Sequence, residues 1–315
     1  MLGLILFLSA SIVGTWLYFS WQLQRKQRLA SLHRPVDDVP TRQSMLYQHS
    51  SMFNLLSYAT KDDIGNFRAF SDRFSSLSDV ARGMQRAGLG HCGVILGIDF
   101  TASNEWQGRK TFRRHCLHAL LVKGLNPYQR VISICGATLE PLLLRDCLYA
   151  FGFGDNRTRD VGVFSFNPGG AACSSFKEVL QCYNTITKTV CLAGPTSFGP
   201  IITKAIQIVK SSGKYHILII VSDGQMRDEH ETVDALICAS YFPLSIVMVG
   251  VGDGPWNTME IFDDLIPRRK FDNFQFVDYN KAYVKAGKNA EAYFALHALM
   301  EIPDQYKAIR DLGYL

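Results

Sequence analysis

The sequence lacks the cysteine spacing of a zinc module and has little excess charge. Its eight cysteines include no C-x-x-C pair, which excludes a zinc ribbon or a RING. The 33 basic residues exceed the 28 acidic ones by only five and are dispersed over 315 residues, so we expect no nucleic-acid partner. Ordinary glycine and proline numbers and a 47% hydrophobic content exclude collagen-like, low-complexity and wholly disordered chains.

Several catalytic signatures are also missing. No G-x-x-x-x-G-K-[ST], G-x-S-x-G or H-E-x-x-H motif occurs, so the chemistries that these motifs support are not indicated. A phosphatase with Asp99 as nucleophile is the enzymatic alternative. It would need a carboxylic general acid at position 101, where Thr101 cannot supply a proton at neutral pH. We therefore expect a protein that is not an enzyme.

The N-terminal segment has the properties of a membrane anchor. Residues 2–21 contain no charged side chain, and about 20 helical residues span the roughly 30 Å of a bilayer core. Trp16, Tyr18 and Trp21 cluster toward one end, as interfacial aromatics do, and a basic flank follows over residues 25–34. Because basic flanks stay on the cytoplasmic side, this pattern predicts a single-pass membrane protein whose main domain is cytoplasmic.

The domain organisation follows from this anchor. We predict a transmembrane signal-anchor over residues 1–22, a polar tether with a short helical segment over 23–75, and one large domain over 76–315. A cleaved signal peptide is the alternative, although no Lys or Arg precedes the apolar run. A glycan on the sequon Asn156-Arg157-Thr158 would reverse the topology. Most cysteines lie in apolar runs, as at Cys135 and Cys238, which favours buried thiols over the disulfides of a secreted protein.

Downstream of residue 76, short apolar runs alternate with amphipathic stretches. The pattern predicts strands over 94–99, 147–153, 163–166, 216–221, 244–251 and 274–277, and helices over 77–87, 128–144, 176–187, 198–210, 228–240, 258–266 and 289–300. Continuous apolar strands that alternate with helices predict an α/β fold: a doubly wound, mostly parallel sheet with helices on both faces. In such sheets, ligands bind beyond the carboxyl ends of the strands, at a topological switch point.

Oxygen-bearing side chains follow the predicted strands at three places. Asp99, Thr101 and Ser103 form a D-x-T-x-S pattern after the first strand, Thr196 precedes a helix, and Asp223 follows the most apolar strand. These five donors suit Mg²⁺, Mn²⁺ or Ca²⁺ rather than zinc. Two carboxylates and neutral hydroxyls leave the cation electrophilic, so an Asp or Glu of a protein partner could complete its coordination. The pattern predicts metal-bridged adhesion rather than catalysis.

Other interpretations of these and neighbouring residues remain open. The D-x-T-x-S residues could cap a helix, and a degenerate, metal-free site would leave a structural domain. Asp155 and Asp253 also follow strands, but we expect them to stabilise turns in glycine-rich loops. Trp106 could form a wall of the site or simply pack. A solvated loop over residues 268–270 is expected, and His118 is expected at an ordinary core or surface position.

Many dispersed motifs resemble the copine family, and the oxygen-donor set resembles the metal-ion-dependent adhesion site of von Willebrand factor A domains. The matching stretches are GIDFTASN at 97–104, NPY at 126–128, FGFGD at 151–155, GPTSF at 194–198, YFPLSI at 241–246, VGDGPW at 251–256 and FDNFQFV at 271–277. The resemblance runs from about residue 94 to residue 309. It implies a partner-binding domain of the von Willebrand factor A type.

The segment at residues 300–308 resembles in particular the copine-like RING ubiquitin ligases. The first 90 residues are too few for the C2 domains of copines, and no RING follows, so neither calcium-dependent phospholipid binding nor ubiquitin transfer is expected. The sequence therefore predicts a membrane-anchored, divalent-cation-dependent protein-binding scaffold. An adaptor in protein ubiquitination that has lost its RING is the alternative function.

Overall fold

A six-stranded sheet forms the centre of the domain in the computed structural model, which describes residues 74–224, 226, 229–266, 268–285 and 289–315. The strands are β1 Cys92–Asp99, β2 Leu143–Phe153, β3 Val163–Ser165, β4 His216–Ser222, β5 Leu244–Gly250 and β6 Phe274–Asp278. Their order across the sheet is β3-β2-β1-β4-β5-β6. Four neighbouring pairs are parallel and β2–β3 is antiparallel, so the predicted mostly parallel sheet is confirmed.

Helices cover both faces of this sheet. They are α1 Leu77–Arg86, α2 Pro127–Leu139, α3 Phe176–Ile186, α4 Gly199–Ser212, α5 Glu229–Ala239, α6 Asn257–Leu265, α7 Tyr279–Lys285, α8 Ala290–Leu299 and α9 Ile302–Asp311. Side chains of α4, α5 and α6 share one apolar core, and those of the other six helices share a second core on the opposite face. All residues of β1, β4 and β5 are buried, as expected for strands that are covered on both sides.

Local sequence signals explain where several helices begin. Ser76 and Asp79 form a reciprocal capping box at the start of α1, and Asn126 and Gln129 form another at the start of α2. Pro127 occupies the first turn of α2, where its missing N–H costs nothing. These caps satisfy backbone donors that a helix start otherwise leaves without partners.

The structure differs from the sequence prediction in three elements. The helix predicted over 128–144 ends at Leu139, because Pro141 cannot donate a helical hydrogen bond and a short 3₁₀ turn leads into β2. The sequence pattern did not predict α7 or α9. At most two residues separate each of them from the preceding strand or helix, so no polar loop marks its start.

At the centre of the edge strand β6, both backbone groups of Phe276 are occupied by side chains. In the described part of the chain, β6 pairs only with β5. The Phe276 N–H donates to Asp263 Oδ1 at 3.0 Å, and the Phe276 carbonyl accepts from Gln275 Nε2 at 3.2 Å. Groups that would otherwise be open to a further strand are thereby satisfied.

The described residues test only part of the predicted domain organisation. No helix within them is long and apolar enough to cross a membrane. The predicted anchor over 1–22 and the predicted tether up to residue 73 fall outside the described ranges. All eight cysteines lie within those ranges and are free thiols. Cys135 is buried as expected, whereas Cys238 is exposed, because it does not belong to the buried face of α5.

Candidate metal centre

The candidate centre lies where the winding of the sheet changes direction. Strand β1 pairs with β2 on one side and with β4 on the other, so connections leave it toward both edges. This switch point opens a crevice at the carboxyl ends of β1 and β4. Asp99 ends β1 and Ser222 ends β4, which places the residues that follow each strand at the same rim.

Asp99 is the buried centre of this rim. The Thr101 N–H donates to Asp99 Oδ1 at 2.8 Å, and the Ser222 hydroxyl donates to Asp99 Oδ2. The backbone of Asp223 also lowers the pKa of this carboxyl group. Burial raises the pKa of Asp99, and the hydrogen bonds from Ser222 and Thr101 oppose that rise. The carboxyl group is therefore held in one orientation from both strands.

The D-x-T-x-S turn gathers two hydroxyls beside this carboxylate. Thr101 Oγ1 and Ser103 Oγ lie 3.0 Å apart and share a hydrogen bond. The Asn104 side chain donates to the Thr101 carbonyl at 3.0 Å and fixes the 3₁₀ turn Ala102–Glu105. The structure thus brings three of the five predicted ligands onto one turn.

The loop that carries Thr196 runs alongside this turn. The Ala102 N–H donates to the Ala193 carbonyl at 2.7 Å, and Thr101 and Ala193 form a parallel bridge. A Cβ atom placed on Gly194 would lie 3.9 Å from both Thr101 Cβ and the Thr196 nitrogen. Thr196 is buried, and this loop brings its backbone beside the Thr101 side chain.

Asp223 reaches the site from β4. It is fully buried, and its backbone is close enough to the Asp99 carboxyl group to lower its pKa. Burial, followed by the negative charges of Asp99 and Asp223, raises the pKa of the Tyr128 phenol well above its usual value. Both carboxylates therefore act on one buried phenol, as expected for two groups in the same crevice.

A layer of aromatic and polar side chains supports Asp99 from below. His118 stacks between Phe100 and Tyr128, with ring centroids 4.7 and 4.1 Å away. Burial lowers its pKa to about 3, so the ring is neutral. His118 Nε2 lies 2.8 Å from the Asp99 carbonyl and must carry the proton, since a carbonyl only accepts; Nδ1 then accepts from the Tyr183 hydroxyl at 2.8 Å.

Sequence reasoning missed this supporting layer. His118 is a core residue, as expected, but its role in holding the end of β1 depends on contacts distant in sequence. The Tyr128 hydroxyl donates to Asn104 Oδ1 at 2.6 Å and so links α2 to the turn. Ser222 precedes Asp223 in the sequence. Its position at the end of a strand was the one feature of the sequence from which its contact with Asp99 could have been predicted.

Two glycines allow close approach around the centre. Gly154 has a φ of +80°, and a Cβ atom there would lie 2.4 Å from Thr101 Cγ2. Gly224 has a φ of +84°, and its Cβ would lie 1.8 Å from Trp256 Cζ3. Trp256 is thus the aromatic residue that packs against the loop of Asp223, whereas Trp106 is 44% exposed.

One of the two other aspartates after strands has the expected turn role. Asp155 accepts from the N–H of Thr158 at 2.9 Å and from its hydroxyl. Asp253 differs from the expectation, because its carboxylate accepts from the N–H groups of Lys110 and Thr111, at 3.0 Å each, and so fixes a segment distant in sequence.

The loop over residues 268–270 is only partly solvated, in contrast to the expectation. The Arg269 side chain is 8% exposed and pairs with Asp272 at 2.7 Å. Lys270 Nζ lies over the Tyr241 ring, 5.1 Å from its centroid. These contacts fold two of the three cations onto the domain.

The donor set of the candidate centre fits a hard cation. Within the described ranges, no three His, Cys, Asp or Glu side chains are grouped as a metal site. The centre instead combines two buried carboxylates with three hydroxyls, and oxygen donors of this kind suit Mg²⁺ or Ca²⁺. The roles of Asp99, Thr101, Ser103, Thr196 and Asp223 as ligands stay predictions.

Comparison with known proteins gives one family. The family model described as Copine matches residues 116–315. The E3 ubiquitin-protein ligase RGLG5 of Arabidopsis thaliana is 47% identical over 264 residues, which cover 79% of this chain and 61% of that protein. Copine family protein 2 of Caenorhabditis elegans is 49% identical over 245 residues, 77% of this chain and 3% of that protein. The chain therefore spans less than two thirds of either relative.

More distant similarity extends to a second copine and to solved structures. Copine-A of Dictyostelium discoideum is 32% identical over 187 residues, 56% of this chain and 30% of that protein. The manganese-loaded TRAP protein of Plasmodium vivax has a TM-score of 0.43 and 15% identity, covering 61% of this chain and 70% of that one. The von Willebrand factor type A protein of Catenulispora acidiphila has a TM-score of 0.41 and 12% identity, covering 68% and 43%.

Proposed function

The chain belongs to the copine family, and from this membership we propose that its folded domain is a divalent-cation-dependent protein-binding module held at a membrane by the N-terminal segment. The domain would act as a scaffold or adaptor rather than as an enzyme. Its partner would supply an Asp or Glu side chain to the bound cation.

One observation carries the cation part of this proposal: β1 and β4 place two buried aspartates next to each other. The Asp223 backbone is close enough to the Asp99 carboxyl group to lower its pKa, and both residues are fully buried. Burying two carboxylates together is costly unless an opposite charge compensates them. A bound divalent cation would supply that charge to both carboxylates.

In this proposal, the five oxygen donors bind the cation in different ways. Asp99, Thr101 and Ser103 are the primary ligands, Thr196 coordinates directly when the partner is bound, and Asp223 acts directly or through water. The ion is Mg²⁺, with Mn²⁺ or Ca²⁺ as substitutes, because all donors are hard oxygens. The cation supplies an electrophilic position to which a partner carboxylate binds.

Titration calorimetry with Mg²⁺ tests the assignment. Asp99→Ala is expected to abolish binding, and Asp223→Ala is expected to weaken it less, because Asp223 can act through water. Asp311→Ala, an exposed aspartate in α9, is the matched control and should bind like the unchanged chain. Circular dichroism must show that each variant is folded; a folded Asp99→Ala variant with unchanged Mg²⁺ affinity would contradict the proposal.

The relatives favour a second candidate function. Proteins named E3 ubiquitin-protein ligases are 46–48% identical to this chain, so a role as an adaptor in protein ubiquitination is the alternative. Affinity capture on the full-length chain, probed for ubiquitin-conjugating enzymes, distinguishes the two. Their enrichment on both the unchanged chain and Asp99→Ala would support the adaptor, whereas enrichment of trafficking or cytoskeletal proteins, lost in Asp99→Ala, would support the cation-dependent scaffold.

A further inference from the structure

Four cations stand together on the turn between β1 and α2. Arg109, Lys110, Arg113 and Arg114 are all exposed, and we name residues 109–114 the basic turn. Within the described part of the chain none of the four pairs with a carboxylate. Their positive charge is therefore available to a partner. The small net charge of the whole chain does not reveal this local cluster.

The backbone of the basic turn is fixed by hydrogen bonds. The N–H groups of Phe112 and Arg114 both donate to the Gly108 carbonyl at 3.0 Å, and Arg113 and Arg114 have φ values of +52° and +64°. The side chain of Phe112 packs against the core of the domain. The turn thus has a defined shape before any partner arrives.

Asp253 fixes the backbone of this turn. The carboxylate accepts from the N–H groups of Lys110 and Thr111 and from the Thr111 hydroxyl, at 3.0, 3.0 and 2.7 Å. Burial raises the pKa of Asp253, but these hydrogen bonds and the positive charge of Lys110 outweigh it and leave the pKa below its usual value. In the described part of the chain, Arg109, Arg113 and Arg114 form no ion pair with this carboxylate.

Asp253 also places the basic turn beside the candidate metal centre. The Asp253 N–H donates to the Gln107 carbonyl at 2.9 Å. A Cβ atom on Gly252 would lie 3.2 Å from Gln107 Cβ and 3.1 Å from Asp223 Cβ. Only one residue separates Gln107 from Arg109, so the cations begin close to Asp223, which is a predicted ligand.

We propose that the basic turn is the second half of the partner-binding surface and that it selects an acidic peptide segment with several carboxylates. The proposal rests on the proposed function, in which one carboxylate binds the cation. In an extended peptide, residues two apart are separated by about 6.6 Å, so neighbouring carboxylates can reach the guanidinium groups beside the centre. Arginine binds carboxylates with two parallel hydrogen bonds, which adds orientation as well as charge.

The composition of the turn favours a peptide over a bilayer. Loops and helices that insert into membranes present apolar side chains outward among their basic residues. Here Phe112, the one apolar residue of the basic turn, faces the core instead, and Thr111 bonds to Asp253. Every charged side chain that the turn exposes is cationic, which suits pairing with carboxylates.

Two fluorescent heptapeptides test the inference on the full-length chain in detergent micelles. Both have a central aspartate; one has glutamates two residues to either side, and the other has glutamines there. By anisotropy in Mg²⁺, the unchanged chain should bind the glutamate peptide about fivefold more tightly, as two exposed ion pairs would give. Arg113→Asn/Arg114→Asn should remove this preference, because it removes two of the cations. Asparagine is chosen because it tolerates the positive φ of both positions.

Lys307→Gln/Arg310→Gln is the matched control, because it removes two exposed charges on α9 and should keep the preference. An unchanged preference in the Arg113/Arg114 variant, or no binding of the glutamate peptide, would overturn the inference. So would binding to phosphatidylserine vesicles that the variant loses while the peptide preference stays. If EDTA or Asp99→Ala leaves the affinities unchanged but the preference still depends on Arg113 and Arg114, the cation proposal fails and the basic turn stands.

Discussion

At Gly154, a hydrogen atom in place of a methyl group lets the loop after β2 approach Thr101. We expect Gly154→Ala to lower the free energy of unfolding by about 1–3 kcal/mol, because it adds backbone strain at a positive φ and a methyl group 2.4 Å from Thr101 Cγ2. Urea unfolding followed by circular dichroism measures the loss. Gly213→Ala is the control, since its φ of +64° is similar but its Cβ would meet nothing within 4 Å. Equal losses in both variants would mean that the contact with Thr101 adds nothing.

For individual residues, the sequence predicted which side chains follow the strands, but it did not predict which side chains support them. Asp99 and Asp223 were expected near each other because the carboxyl ends of parallel strands share one edge, and the effect of the Asp223 backbone on the pKa of Asp99 agrees with that expectation. The contacts of His118 and Asn104 with the turn join residues whose spacing in the sequence carries no periodic pattern. Such contacts follow from packing, which a single sequence does not reveal.

Among the elements, apolar runs between turn residues predicted all six strands to within a few residues, because buried parallel strands are almost wholly apolar. Helices α7 and α9 were missed for a different reason. Helix α9 buries few side chains, among them Ile302 and Ile309, and it follows α8 after only two residues. A short helix with a narrow apolar stripe and no preceding loop has a weak periodic pattern.

The start of α9 also makes the stability of the domain depend on pH. Burial, then the nearby carboxylates of Asp263, Asp272 and Asp304, raise the pKa of Glu301 to about 8, while Arg269 opposes them. The folded state therefore holds this proton more tightly than the unfolded chain. Its stabilising contribution is complete below about pH 4.5 and is lost as the pH rises toward 8.

We expect Glu301→Gln to flatten this decline in urea unfolding between pH 5 and pH 8. A single group changes the free energy of unfolding by at most about 1.4 kcal/mol per pH unit, and partial exposure of Glu301 makes the effect smaller. Asp311→Asn, at the exposed end of the same helix, should leave the decline unchanged. A Glu301→Gln variant with the pH profile of the unchanged chain would contradict the raised pKa.

For the whole molecule, composition and the alternation of elements were sufficient to predict the doubly wound sheet and its helices on both faces. The basic turn was overlooked because its four cations are diluted in a chain with a net charge of only +5. The membrane anchor concerns residues 1–22, to which the described domain contributes no observation. It stays a prediction from hydropathy and flanking charge.

Expression of the full-length chain with microsomes tests the predicted topology. The chain should stay in the membrane pellet after alkaline carbonate, and the exposed Asn156 should carry no glycan, because a cytoplasmic domain does not meet the glycosylation machinery. Asn156→Gln provides the reference mobility on a gel. A shift to lower mobility that the substitution removes would place the domain in the lumen, and release by carbonate would contradict the anchor.

The side chains of Asp263 and Gln275 on Phe276 have a consequence for crowding. In the proposed function, copies of the chain held at a membrane meet each other far more often than copies of a dilute protein do. Because both backbone groups of Phe276 are already bonded within the chain, the β6 edge offers an approaching strand fewer free donors and acceptors. Neighbouring copies are therefore less prone to pair through this edge.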